Sequence, residues 1–237
     1  VYPLEAPTGL RFGMLETVRQ YASRLLAADP VEQAAAQRRH SSHFTGWVSA
    51  LGDNLLLDES AAQDAVTADR ANVLTAIQWA IDGGSSKVAC QALAAVAMLL
   101  AREAWVPLSH NVLAQADQLL GNVEEADQWR IHLVRWRVLA LRSDPLSELE
   151  SLETMRRCAE STAQPLGVAV ARCQSLVILS VTGAPVFDEL REIVEGFAEG
   201  DEAWAVIFRD AAALMAAYTG NLNLYDSIRS RGGQDDG

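Results

Sequence analysis

Ser86-Lys87-Val88-Ala89-Cys90-Gln91-Ala92-Leu93-Ala94-Ala95-Val96-Ala97-Met98-Leu99-Leu100-Ala101 is the stretch on which the fold class turns. Its uninterrupted apolar run, Ala92 to Ala101, is about half the roughly 20 residues a membrane-spanning helix requires, so it reads as a helix buried inside protein. Alanine and leucine dominate here as in the rest of the chain, and both are strong helix formers. Alternating Val/Thr/Tyr runs of the kind that strands need are scarce.

On either side of this stretch, turn signals recur at helix-hairpin spacing: Pro107, Gly121-Asn122, Asp144-Pro145, Gln164-Pro165, Gly183-Ala184-Pro185, Gly200-Asp201 and Gly220-Asn221. Between them the pattern predicts helices over about 86–104 and 107–120, then 124–142 and 146–161, then 165–182 and 185–199, and a last pair over about 202–219 and 221–231. Successive pairs start roughly 37 to 41 residues apart, between the tetratricopeptide period of about 34 and the HEAT or armadillo range. The period leaves the repeat family open, but it predicts stacking. A pair whose apolar face is too broad for itself is covered by its neighbours. The expected fold is therefore all-α, a right-handed superhelix of antiparallel helix hairpins resembling a tetratricopeptide solenoid, with a concave wall of the kind that binds peptides or other domains.

Before Gly84 the reading changes. Pro3 and Pro7 predict an extended start, and Leu10, Phe12 and Met14 alternate with Arg11 and Gly13 as in a short strand. From Leu15 the period becomes helical, with Leu15, Val18, Ala22, Leu25 and Leu26 on one face, ending at Asp29-Pro30. A helix over about 30–51 carries Phe44, Trp47, Val48 and Leu51 as its later apolar stripe. Another starts near Asp58 and runs to Asp82-Gly83-Gly84, with a candidate break at Asp69 to Asn72.

With 237 residues, 50% of them apolar, the chain can bury a sizeable core, and disorder is expected only at its ends. A formal net charge of −12 opposes direct nucleic-acid binding, which needs clustered Lys and Arg to displace counterions. Three cysteines, Cys90, Cys158 and Cys173, cannot all pair and lack C-x-x-C spacing, so a reducing cytoplasm is expected rather than a disulfide framework. No basic segment followed by an apolar signal core opens the chain, and no membrane role is expected. A start at Val1 without methionine reads as part of a longer protein.

Arg11-Phe12-Gly13-Met14-Leu15-Glu16-Thr17-Val18-Arg19-Gln20-Tyr21-Ala22 resembles the segment that follows the winged helix in bacterial STAND-class regulators, which join an NB-ARC type P-loop ATPase to helical repeats. Arg38-Arg39-His40 followed by Phe44 resembles that family's Arg-His-x-x-x-Phe helix. Asn72-Val73-Leu74-Thr75-Ala76-Ile77-Gln78-Trp79-Ala80 resembles its Asp-Asn-Leu-Arg-x-Ala-Leu-x-Trp-Ala, with Ala71 in place of Asp and Leu74 in place of Arg. The likeness covers about the first third of the chain. It implies that 1–28 is the end of a winged helix plus a connecting helix and that 29–84 is a helical linker; turn spacing and composition add 85–231 as tetratricopeptide-like repeats and 232–237 as a disordered tail. Its motif residues here are Arg11, Leu15, Glu16, Thr17, Val18, Arg19, Gln20, Tyr21, His40, Asn72 and Trp79.

Catalytic and ligand-binding constellations are sparse. Gly83-Gly84-Ser85-Ser86-Lys87-Val88 lacks the glycine before lysine and the hydroxyl after it that a P-loop needs, and reads as a turn between helices. His40 and His43 share a helix face, yet no third ligand completes a zinc site locally. His40 is expected to pack or cap, and His43 to face solvent. Trp129, Arg130, Arg135, Trp136 and Arg137 combine the residue types of interface hot spots, although tryptophans one heptad apart more often fill a core. Glu148, Glu150 and Glu153 read as a wet face.

The resemblance implies a non-catalytic interaction and sensor module in signal transduction and transcription regulation. It would bind a protein, a peptide or a small-molecule effector and control its own ATPase and winged-helix domains. ATP and Mg²⁺ are expected only in that ATPase domain, and no cofactor or metal in this segment. The alternative is an all-helical small-molecule binding protein or enzyme with a pocket between helices.

Overall fold

The computed structural model describes residues 2–6, 9–53, 59–99, 108–140, 145–180 and 184–197. Among these the chain is helical except for an N-terminal hairpin in which β1 (Tyr2–Ala6) pairs antiparallel with β2 (Gly9–Gly13). The expected single strand thus has a partner: the extended start containing Pro3, which stands opposite Phe12. A two-stranded ribbon tolerates that proline, because both of its strands are edge strands, on which outward-facing N–H groups have no cross-strand acceptor to lose.

Helix α1 (Glu16–Ala27) leads into α2 (Pro30–Asp53) through Asp29, whose carboxylate accepts the backbone N–H groups of Val31 and Glu32 at 3.1 Å each. Asp29 is the N-cap and Pro30 the first helical residue, where a missing N–H costs nothing. Helix α3 (Glu59–Asp82) runs without interruption, so the break expected at Asp69 to Asn72 does not occur. Valines on either side of that point, Val66 and Val73, are buried and hold it on one course.

Two helix ends share one closing device. After α3, Ser85 N–H reaches Ala80 O at 2.8 Å and Gly84 N–H reaches Ile81 O at 3.0 Å, with Gly84 at φ +76°. After α7 (Pro145–Ser161), Gln164 N–H reaches Ala159 O at 2.8 Å and Ala163 N–H reaches Glu160 O at 3.2 Å. Both are Schellman caps, and the second puts an alanine, Ala163 at φ 54°, where glycine is the usual residue.

The remaining helices are α4 (Ser86–Leu99), α5 (Ser109–Leu119), α6 (Gln128–Ala140), α8 (Pro165–Ser180) and α9 (Phe187–Phe197). The start expected at 124 for α6 is taken up by a short 3-10 turn, Glu125–Asp127. The helix pair expected at 202–231 and the tail at 232–237 lie outside the described residues, as do 100–104, 141–142, 181–182 and 198–199 at the ends of other helices.

Each helix packs on its successor, and α2, α4, α6 and α8 form a row in which each touches the next, as α3 and α5 also do. This is the connectivity of stacked hairpins, an all-α solenoid-like fold. Helix α4 touches α2, α3, α5 and α6, and the run Ala92 to Ala97 is wholly buried. Alanine on most of its faces lets four neighbours approach one axis, which bulkier side chains would hold off. Ile131, Leu133, Leu152 and Met155 continue the core through α6 and α7.

Helix α1 is the exception. Its periodicity predicts an apolar face for burial, but it buries no residue, and every position from Met14 to Leu25 is exposed. Only Leu26 is half-buried, while α1 packs on α2.

Candidate functional site

The motif residues far apart in sequence meet between α2 and α3. The His40 imidazole lies 4.7 Å from the Phe44 ring and 5.0 Å from the Trp79 ring, the latter edge to face at 70°. Phe44 also meets His43 at 4.9 Å and Trp47 at 6.1 Å, both nearly perpendicular. Asn72 hydrogen-bonds the His40 side chain and donates its own amide to Asp69 Oδ1 at 3.1 Å. One turn along the contact, buried Ser41 donates its hydroxyl to Ala76 O at 2.8 Å. Buried Thr45 donates to Ser41 O at 2.7 Å.

These contacts follow from helical spacing. His40 and Phe44 stand at i and i+4 on α2, and Asn72, Ala76 and Trp79 at i, i+4 and i+7 on α3, so each set shares one face. Ala76 is fully buried and small enough for the Ser41 hydroxyl to reach its backbone.

His40 Nδ1 is buried without a hydrogen-bond partner. Burial holds the imidazole below its ordinary pKa, opposed by the Asn72 hydrogen bond and reinforced by His43. The arrangement favours a neutral ring in a largely aromatic setting. It joins two helices and carries no activated nucleophile. His43 is exposed, as expected.

The other motif residues lie elsewhere. Arg11 stands opposite Leu4 in the hairpin. Glu16 accepts from Arg19 Nε and Nη2 at 2.8 and 2.6 Å and from Gln20 at 2.8 Å. Those hydrogen bonds, Arg19 first, draw the Glu16 carboxyl down to about 2. Leu15, Val18 and Tyr21 are exposed, and so is Thr17. Leu74, which stands where the resembled motif has arginine, turns its carbonyl to Gln115 Nε2 at 2.9 Å, part of an α3–α5 seam that also joins Gln78 to Gln118 at 3.0 Å.

Of the five residues read as a candidate interaction surface, the two tryptophans are buried and the three arginines half-buried. Trp129 and Trp136 are in the core, at 1% and 3% exposure. Arg130 is bound to the buried carboxylate of Asp127 and lies 4.6 Å from the Trp129 ring. Arg137 donates to Ala97 O and Met98 O at 3.3 Å each, near the C-terminal end of α4, where the helix dipole favours a cation. Arg135 faces Asp117 on α5 at 3.9 Å. The tryptophans are the fillers their heptad spacing suggested, and Arg135 and Arg137 tie α6 to α5 and α4.

Two tethers were not legible in the sequence. Cys90 on α4 donates to Asp127 O at 3.6 Å, and Cys158 on α7 approaches Glu125 O at 4.0 Å, so thiols from two helices hold the 3-10 turn. The glycine-rich stretch at Gly83 to Val88 is the cap of α3 and the start of α4, with Lys87 exposed. Among the described residues no three His, Cys, Asp or Glu side chains are grouped to hold a metal ion, and no helix is long and apolar enough to cross a membrane. No family model matches the chain, and no significant match was found among curated proteins or solved structures.

Proposed function

We propose that the chain is a non-catalytic interaction and sensor module of a STAND-type ATPase that regulates transcription, with Leu15 to Ala28 as the helix connecting the repeats to the ATPase side. The observation that carries the reading is the meeting of His40 and Phe44 with Asn72 and Trp79: two separate stretches of resemblance become one packed contact between adjacent helices. The stacked hairpins support it in a coarser way, since a solenoid offers an extended wall for a protein, peptide or small-molecule effector. ATP and Mg²⁺ belong, on this reading, to the ATPase domain and not to these helices.

The test is made on the purified chain. ATP turnover is measured directly, and thermal unfolding is followed with metabolites and with peptides, because a ligand that binds the native state raises the melting temperature by mass action. Absence of turnover, together with stabilisation by one effector class, is the expected result. Turnover that co-purifies with the chain and survives removal of contaminating ATPases would reject the proposal.

A further inference from the structure

No further inference is drawn: the strongest candidate, the exposed Val18, Tyr21 and Leu25 stripe along α1, is an unpartnered apolar helix face, and nothing in the structure shows what covers it.

Discussion

Gly167 on α8 lies flat against Trp129 on α6: a Cβ built on the glycine would stand 2.9 Å from Trp129 Cδ2 and 2.8 Å from Ala159 Cβ. The indole is at 1% exposure and Ala159 is fully buried, so neither neighbour has room to retreat. Overpacking in Gly167→Ala is expected to cost roughly 1–3 kcal/mol, offset in part by a gain of about 1 kcal/mol in helix propensity, for a net destabilisation of up to about 2 kcal/mol. Gly46, on α2, has nothing within 4 Å of its would-be Cβ. Gly46→Ala is expected to stabilise by about 0.5–1 kcal/mol. Urea unfolding of the two variants should therefore shift the midpoint in opposite directions. A stabilised Gly167→Ala would show that α6 and α8 are not in this close contact.

Ala163 occupies the left-handed position of the cap after α7, at φ 54°. A side chain there costs roughly 1–2 kcal/mol, and glycine relieves it while adding entropy to the unfolded chain. Ala163→Gly is expected to be neutral to stabilising by up to about 1 kcal/mol, the reverse of the usual penalty for glycine. Chemical denaturation monitored by tryptophan fluorescence decides it, and a loss above about 1 kcal/mol would contradict the cap.

His40 and His132 both have pKa values held below the ordinary imidazole range, His40 by burial first and then by His43, His132 by burial first and then by Arg135. The unfolded chain therefore takes up protons at these sites before the folded one does. Their contribution to stability is complete above the unfolded value of about 6.5 and is lost as pH falls through it, until the folded-state values are passed. The urea midpoint is expected to drop between pH 8 and pH 5.5. Replacing both histidines with asparagine should flatten that slope. An unchanged slope would place the two rings in solvent.

The parts of the fold that were legible in the sequence are those decided by neighbours along the chain. Asp29-Pro30 and Gly83-Gly84 end helices through backbone chemistry local to a few residues, and the alanine-rich run of α4 can only be satisfied by burial. Gly167 was not legible, because inside Pro165-Leu166-Gly167-Val168 it reads as a weak spot in a helix, and its purpose depends on an indole from another helix. The His40 contact was half legible. Its two stretches stood out separately, but the ring contacts exist only once α2 and α3 are paired. On α1 the apolar period was real while burial did not follow, since periodicity shows which face a helix can bury and not that a partner is present.

Burial pushes the Cys90 thiol up to about 12, with Asp127 adding to the effect, and burial alone does the same for Cys173. Cys158 is half-buried and is raised by burial and by Glu125. Since the thiolate is the reactive form, the native protein should be modified first at Cys158 by a neutral-pH thiol reagent. Cys90 and Cys173 are expected to react only after denaturant is added. Mass spectrometry of modified peptides reads the order directly. Rapid native labelling of Cys173 would mean that α8 opens far more readily than its packing allows.

Removal of Val1 to Leu26 is a deletion that the packing of the described residues tolerates. Helix α1 buries no residue and packs on α2, whereas α2 through α8 are linked by successive contacts, among them the Ser41 to Ala76 hydrogen bond and the Arg137 contacts at the end of α4. In a stack where each element is held mainly by its neighbours, losing an end costs the interface at that end and little else. The shortened chain begins at Ala27 and keeps Asp29, the N-cap of α2. Its far-ultraviolet circular dichroism per residue should match or exceed that of the full chain, because the deleted part includes the hairpin, and its thermal unfolding should remain cooperative. Loss of helical signal or of cooperativity would mean that α1 organises the stack and does not merely extend it.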